Sequence, residues 1–178
     1  SEEERVEKRL REVNKDVKRL VKKVRDVNRK VHEDTKRLVE EVRRVNRDVH
    51  RRVKELREAG KLDEEVIKDL EKASEDSKRE LEKVVRESED SSRRSEEKLR
   101  RVEERHKRLS EEIRRKLESG GDVDKIVEEI DKVVTETREL AERLVKESED
   151  NVERSRDLAR KLVEKSERLV KEIDDRAR

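Results

Sequence analysis

The six residues Val27-Asn28-Arg29-Lys30-Val31-His32 recur eighteen positions later, slightly altered, as Val45-Asn46-Arg47-Asp48-Val49-His50. Each copy places two valines four residues apart and sets an amide and an imidazole beside them. Residues four apart share one face of an α-helix, and eighteen residues complete about five turns. The repeat therefore predicts a long helix whose packed face carries polar side chains at a regular interval.

The valines of both copies belong to a stripe of apolar residues that continues in both directions. Its members follow at steps of three and four: Val6, Leu10, Val13, Val17, Leu20, Val24, Val27, Val31, Thr35, Leu38, Val42, Val45, Val49, Val53 and Leu56. A second stripe beside it mixes valine with polar residues: Asn14, Val21, Asn28, His32, Val39, Asn46 and His50. Together the two stripes are wide enough to face two neighbouring helices, which is typical of a bundle.

Three glycines divide the chain into segments of similar length. Gly60 and the pair Gly120-Gly121 are positioned to end helices, and Asp63 and Asp122 follow them as candidate caps of the next helix. The sequence thus predicts an all-α fold, an up-down-up bundle of three long, nearly straight antiparallel helices. The predicted single domain, 1–178, has these parts: helix 1 about 2–58, a loop about 59–63, helix 2 about 64–118, a loop about 119–122, and helix 3 about 123–176.

The composition limits the classes of function. Charged residues make up 58% of the chain and apolar residues 28%, while aromatic residues, cysteine, methionine and proline are absent. The net charge of +2 gives little attraction to nucleic acid or to anionic membranes. Residues 1–58 carry 21 basic and 14 acidic residues, an excess that we interpret as complementary to the acidic helices beside them. Because charges run through the first twenty residues, we expect neither a signal peptide nor a membrane span there.

Polar residues that interrupt the apolar stripes pair across the predicted loops. Between helices 1 and 2, the residue numbers of each pair add up to 123: Asn28 with Ser95, His32 with Ser91, Thr35 with Ser88, and Asn46 with Ser77. Between helices 2 and 3 they add up to 243: His106 with Thr137, Ser95 with Ser148, Ser92 with Asn151, Ser88 with Ser155, and Ser77 with Ser166. Half of each sum gives the position midway between the paired residues. Both positions fall in the predicted loops, as antiparallel neighbours require.

The polar residues of the predicted core fall into three levels, each with one histidine. The first level contains Asn14, His106, Ser110 and Thr137; the second contains Asn28, His32, Thr35, Ser88, Ser91, Ser92, Ser95, Ser148, Asn151 and Ser155; the third contains Asn46, His50, Ser74, Ser77 and Ser166. We predict that hydrogen bonds within these levels specify the register and pairing of the helices, while valine and leucine layers supply stability. The alternative is that these residues lie on wet helix flanks and only aid solubility.

The histidines leave a further alternative open, a response to pH through His32, His50 and His106. A buried neutral imidazole has a lowered pKa, so its contribution to stability is present near neutrality. That contribution is lost as the pH falls from the unfolded pKa of about 6.5 toward the lowered folded pKa. The competing interpretation is a purely structural network.

The sequence contains no recognisable catalytic or metal-binding arrangement. His32 and His50 lie about 27 Å apart along one helix, too far to share a metal ion. There is no glycine-rich phosphate loop, and no histidine is paired with an obvious nucleophile and orienting acid. We therefore expect no enzymatic activity, no cofactor or metal, and no nucleic-acid, membrane or small-molecule partner.

The whole chain resembles computationally designed helical bundles with buried hydrogen-bond networks, a family that includes designed hetero-oligomers and cage-and-key switch bundles. The resemblance rests on equal helices, minimal loops, and segments such as Lys36-Arg37-Leu38-Val39-Glu40-Glu41-Val42 and Glu80-Leu81-Glu82-Lys83-Val84-Val85-Arg86-Glu87-Ser88. It implies a scaffold without natural activity that requires no partner. The sequence leaves the localisation unknown; we expect a soluble protein made by recombinant expression in the cytoplasm. The alternative is a subunit of a designed homo- or hetero-oligomer, completed by a partner helix or by copies of itself.

Overall fold

A computed structural model describes residues 1–176. It contains three α-helices, α1 (Glu2–Glu58), α2 (Glu64–Glu118) and α3 (Val123–Arg176), and no strand occurs in this part of the chain. The helices pack against one another, which confirms the predicted all-α three-helix bundle. Each helix has at least one acidic residue in its first turn and at least one basic residue in its last, as the helix dipole favours.

Both interhelical turns use a glycine in the left-handed conformation. Gly60 has φ 67° after α1, and Gly120 has φ 77° after α2. In each turn the next amide reaches back five residues, from Lys61 N to Leu56 O at 3.0 Å and from Gly121 N to Lys116 O at 2.8 Å. These hydrogen bonds satisfy carbonyl groups that the helix end leaves without an intrahelical donor.

The chain divides into two compact units, each containing part of all three helices. Unit 1 comprises Ser1–Lys30 and Ser91–Glu149; unit 2 comprises Val31–Asp90 and the described residues from Asp150 onward. The single-domain organisation stays a prediction.

Unit 1 has one continuous apolar core. Its buried members are Val6, Leu10, Val13, Val17, Val21, Val24, Leu99, Leu109, Ile113, Ile126, Ile130, Val133, Val134, Ala141 and Leu144. Ion pairs show the helix directions: Glu7 contacts Arg114 at 3.7 Å, whereas Arg25, further along α1, contacts Glu96 at 2.9 Å. The residue numbers of the α2 partners decrease as those of the α1 partners increase, so α1 and α2 are antiparallel.

Unit 2 has two smaller apolar clusters. One contains Val39, Val42, Leu81, Ala159 and Leu162; the other contains Val49, Val53, Leu56, Leu70 and Ile173. Arg156 contacts Asp34 at 3.3 Å, and Asp174 contacts Arg52 at 2.9 Å, so α1 and α3 run parallel in this unit.

Candidate functional site

The amide of Asn28 joins all three helices within unit 1. Its Nδ2 donates a hydrogen bond to Ser95 Oγ on α2 at 2.8 Å, and its Oδ1 accepts one from Ser148 Oγ on α3 at 2.6 Å. Both serines are buried and Asn28 is half-buried. We name these three residues the Asn28 triad; its amide both donates to one helix and accepts from another.

Eighteen residues further along α1, unit 2 repeats this arrangement. Asn46 Nδ2 donates to Ser77 Oγ at 3.3 Å, and Ser166 Oγ donates to Asn46 Oδ1 at 3.4 Å. These three residues, the Asn46 triad, use the same donors and acceptors at longer distances. Their hydrogen bonds are therefore weaker than those of the Asn28 triad.

His106 is the buried histidine of unit 1, with 6% of its surface exposed. Its Nε2 lies 3.2 Å from Thr137 Oγ1, and Thr137 donates its hydroxyl hydrogen to Val133 O at 2.8 Å. A hydroxyl has one hydrogen, so Thr137 must accept from His106, which assigns the imidazole proton to Nε2. Burial lowers the pKa of His106, and the charge of Arg105 lowers it further.

The other two residues of the first level lie near His106. Ser110 is buried and donates to the main-chain oxygen of His106 at 3.0 Å. Asn14 is half-buried and lines a groove between α1 and α2 together with His106 and Ser110. The Asn14 amide makes no hydrogen bond with any residue from 1 to 176.

The second level is distributed over both units. Unit 1 contains Asn28, Ser91, Ser92, Ser95 and Ser148; unit 2 contains His32, Thr35, Ser88, Asn151 and Ser155. In unit 2, Ser155 donates to Asn151 O at 2.9 Å, and the Asn151 side-chain oxygen accepts from Arg154.

The Thr35 hydroxyl is buried and makes no hydrogen bond. Its oxygen is the one side-chain atom among the described residues that is both buried and without a partner. Thr35 lines a groove of about 250 Å³ in unit 2 together with His32, Val85 and Ser88. In the third level, Ser74 is half-buried.

Three of the predicted core positions are exposed: His32, His50 and Ser92. Their placement in the core was wrong. His32 and His50 each follow a half-buried asparagine by four residues, and Ser92 follows the half-buried Ser88 by four. Because four residues advance about 400° around a helix, each side chain lies about 40° beyond its predecessor, past the edge of the packed face.

No protein-family model, curated protein or solved structure matches this chain. Within residues 1–176, no group of three histidine, cysteine or carboxylate side chains is placed to hold a metal ion. None of the three described helices has a stretch apolar enough to cross a membrane.

The sequence patterns did not reveal the groove between α1 and α2 in unit 1. It encloses about 740 Å³, its floor includes Val17 and Val21, and Arg25 on its edge bridges Glu96 and Glu103 of α2. The excess of basic residues in 1–58 was the available signal. It identified a basic helix without showing that its cations border a cavity.

Proposed function

We propose that the chain is a de novo designed structural scaffold in which buried asparagine–serine hydrogen bonds specify the register and pairing of three helices. The Asn28 triad carries this proposal, because one side-chain amide satisfies serines on two other helices at 2.8 and 2.6 Å. Displacing α2 by one helical turn brings Leu99 toward Asn28 in place of Ser95 in one direction, and Ala73 toward Asn46 in place of Ser77 in the other. A buried polar group without a partner costs about 1–3 kcal/mol and a half-buried amide costs less, so either displacement is disfavoured.

The proposal includes no catalytic role. Its support is the direction of the hydrogen bonds around His106, the buried imidazole. Thr137 donates its proton to the carbonyl of Val133, and so His106 does not accept the Thr137 proton as a general base would. The proposed scaffold also uses no cofactor, nucleic acid, membrane or small-molecule substrate.

The test removes both central amides without removing apolar volume. We expect an Asn28→Leu/Asn46→Leu variant to remain helical but to lose unique pairing, because leucine packs equally well in many registers. Light scattering should then show self-associated species, and amide NMR spectra should show more than one resonance per residue. Val39→Leu, a buried change that leaves both triads intact, should keep the mass of the unaltered chain and one set of resonances. A double variant that behaves like Val39→Leu contradicts the proposal.

A second candidate function is a subunit of a larger assembly. The observation that favours it is Thr35, whose buried hydroxyl has no partner within the described chain and borders a groove. A donor or acceptor from another chain would satisfy it. Light scattering at pH 7.4 and pH 4.5 tests self-assembly and a pH response together. One monomeric mass at both pH values, with unchanged helicity, contradicts both.

A further inference from the structure

The floor of the groove between α1 and α2 in unit 1 combines apolar and polar groups, so a side chain from another molecule can pack against it. Val17 and Val21 contribute methyl groups, while His106, Ser110 and Asn14 contribute polar atoms. His106 donates through Nε2 to Thr137, which leaves Nδ1 as an acceptor. Nδ1 has no hydrogen-bond donor among residues 1–176, and neither has the Asn14 amide oxygen. The floor thus presents two acceptors that a donor from outside the chain can reach.

The rim of this groove is basic. Six cationic side chains line it, Lys18, Lys22, Arg25, Arg29, Lys107 and Arg114, against the three carboxylates Asp26, Glu103 and Glu111. The arginines have ion pairs: Arg25 with Glu96 and Glu103, Arg29 with Asp26, and Arg114 with Glu7. The three lysines have no ion pair with any described residue. The rim therefore attracts an acidic partner and repels a basic one.

Polar residues in the sequences of α1 and α2 recur with the period of a straight helix. Asn14, His32 and His50 on α1 are eighteen residues apart, and so are Ser74, Ser92 and Ser110 on α2. Eighteen residues are about five turns, so an α-helix lying along α1 presents equivalent side chains at the same interval. Unit 2 has a groove of its own between α1 and α2, where the Thr35 hydroxyl is buried without a partner.

We propose that the α1–α2 groove of unit 1 binds one amphipathic α-helix from a different protein chain, with glutamate or aspartate along its flanks and a hydrogen-bond donor at its centre. The acidic flanks pair with Lys18, Lys22 and Lys107, and the donor reaches His106 Nδ1. This inference extends the second candidate function and rests on it. A second copy of this chain is disfavoured as occupant, because docking through the same face brings the two basic rims together.

The groove follows α1 from Asn14 to Arg29, a span of about 22 Å, so a bound helix covers it with about four turns. The probes are two synthetic peptides of about 21 residues, long enough to extend beyond both ends. One has leucine and valine on one face, a single central serine on that face, and glutamate on both flanks. The other has lysine in place of every glutamate. Calorimetric titration into the full chain measures affinity and stoichiometry.

We expect the glutamate peptide to bind one to one and the lysine peptide to bind more weakly by about tenfold or more. A Lys18→Glu/Lys22→Glu variant should bind the glutamate peptide about tenfold more weakly, because two attractions become repulsions. The matched control is Lys23→Glu/Lys30→Glu, which makes the same charge change at exposed unit 1 lysines outside the groove. The control should change the affinity by less than about twofold.

Three results overturn the inference: equal binding of both peptides, no binding of the glutamate peptide at about 1 mM, or equal effects of the two lysine variants. A dimer without peptide that Lys18→Glu/Lys22→Glu abolishes also overturns it, in favour of a second copy as occupant. Each of these results leaves the role of the Asn28 and Asn46 triads intact. That role fails separately, when the Asn28→Leu/Asn46→Leu variant keeps unique pairing.

Discussion

At the scale of single residues, the buried polar side chains differ in how completely their hydrogen bonds are made. Thr137 both accepts from His106 and donates to Val133 O, whereas the buried Thr35 hydroxyl makes no hydrogen bond. Burying a polar atom without a partner costs free energy that a satisfied atom does not. We therefore expect these two chemically identical threonines to have opposite effects on stability.

We predict that Thr35→Val raises the free energy of unfolding by about 1 kcal/mol, because valine has the same shape without the unsatisfied hydroxyl. The matched change Thr137→Val should lower it by about 1–3 kcal/mol, since it leaves the buried Nε2–H of His106 without an acceptor. Denaturation with guanidinium chloride, aided by heat where needed, measures both changes. Equal effects at the two positions would show that the Thr35 hydroxyl has a partner in solution.

A pH dependence is predicted for His106, because burial, followed by the charge of Arg105, lowers its pKa. The neutral form is favoured in the folded state, so its contribution to stability is complete above the unfolded pKa of about 6.5. That contribution is lost as the pH falls from there through the lowered folded pKa, at no more than about 1.4 kcal/mol per pH unit. A His106→Gln variant should lose less unfolding free energy between pH 7 and pH 5. Parallel curves for the two proteins would contradict the assignment.

At the scale of elements, each of the first two helices ends because the backbone turns into the left-handed region at a glycine. Added Cβ atoms at Gly60 and Gly120 have no atom within 4 Å, so steric crowding by neighbours plays no part there. The φ angles of 67° and 77° by themselves disfavour other residues. At Gly121, by contrast, a Cβ would approach Lys116 O to 2.9 Å.

We predict that Gly60→Ala and Gly120→Ala each lower the free energy of unfolding by about 1 kcal/mol, through backbone strain alone. Gly60→Asn should cost less than Gly60→Ala, since asparagine adopts the left-handed conformation more readily. Equilibrium unfolding of the three variants measures the difference. An alanine that is as stable as glycine at Gly60 would mean that the turn changes conformation.

At the scale of the whole molecule, the two units bury different amounts of apolar side chain. The unit 1 cluster has fifteen buried members, whereas the unit 2 clusters have five each. On each helix of unit 2, the one residue of the Asn46 triad lies in sequence between the residues of the first apolar cluster and those of the second. The local stability of a region follows the apolar contacts that must separate when it opens.

We therefore predict faster amide hydrogen exchange in unit 2 than in unit 1 under native conditions. Within α1, amides of residues 31–58 should exchange faster than those of residues 5–30, although one helix contains both. Mass spectrometry of peptic fragments resolves the two halves. Uniform protection along α1 would contradict the prediction.

Much of the fold could be predicted from local patterns. Steps of three and four predict helices, and glycine followed by aspartate predicts where they end, because both depend on short-range geometry. The constant sums predicted Asn28 opposite Ser95 and Asn46 opposite Ser77, and hydrogen bonds join both pairs. Such sums are informative because the two loops are short and the helices are regular.

The sequence by itself determined the number of helices, their class and the angular position of each polar residue. Only the tertiary structure decided that Asn28 is bonded and half-buried while His32, about 40° further around α1, is exposed. It also decided that Thr35 lacks a partner and that basic side chains border a groove. The physical reason is that helical periodicity is a local property of the chain. Where a packed face ends depends instead on how closely side chains distant in sequence approach it.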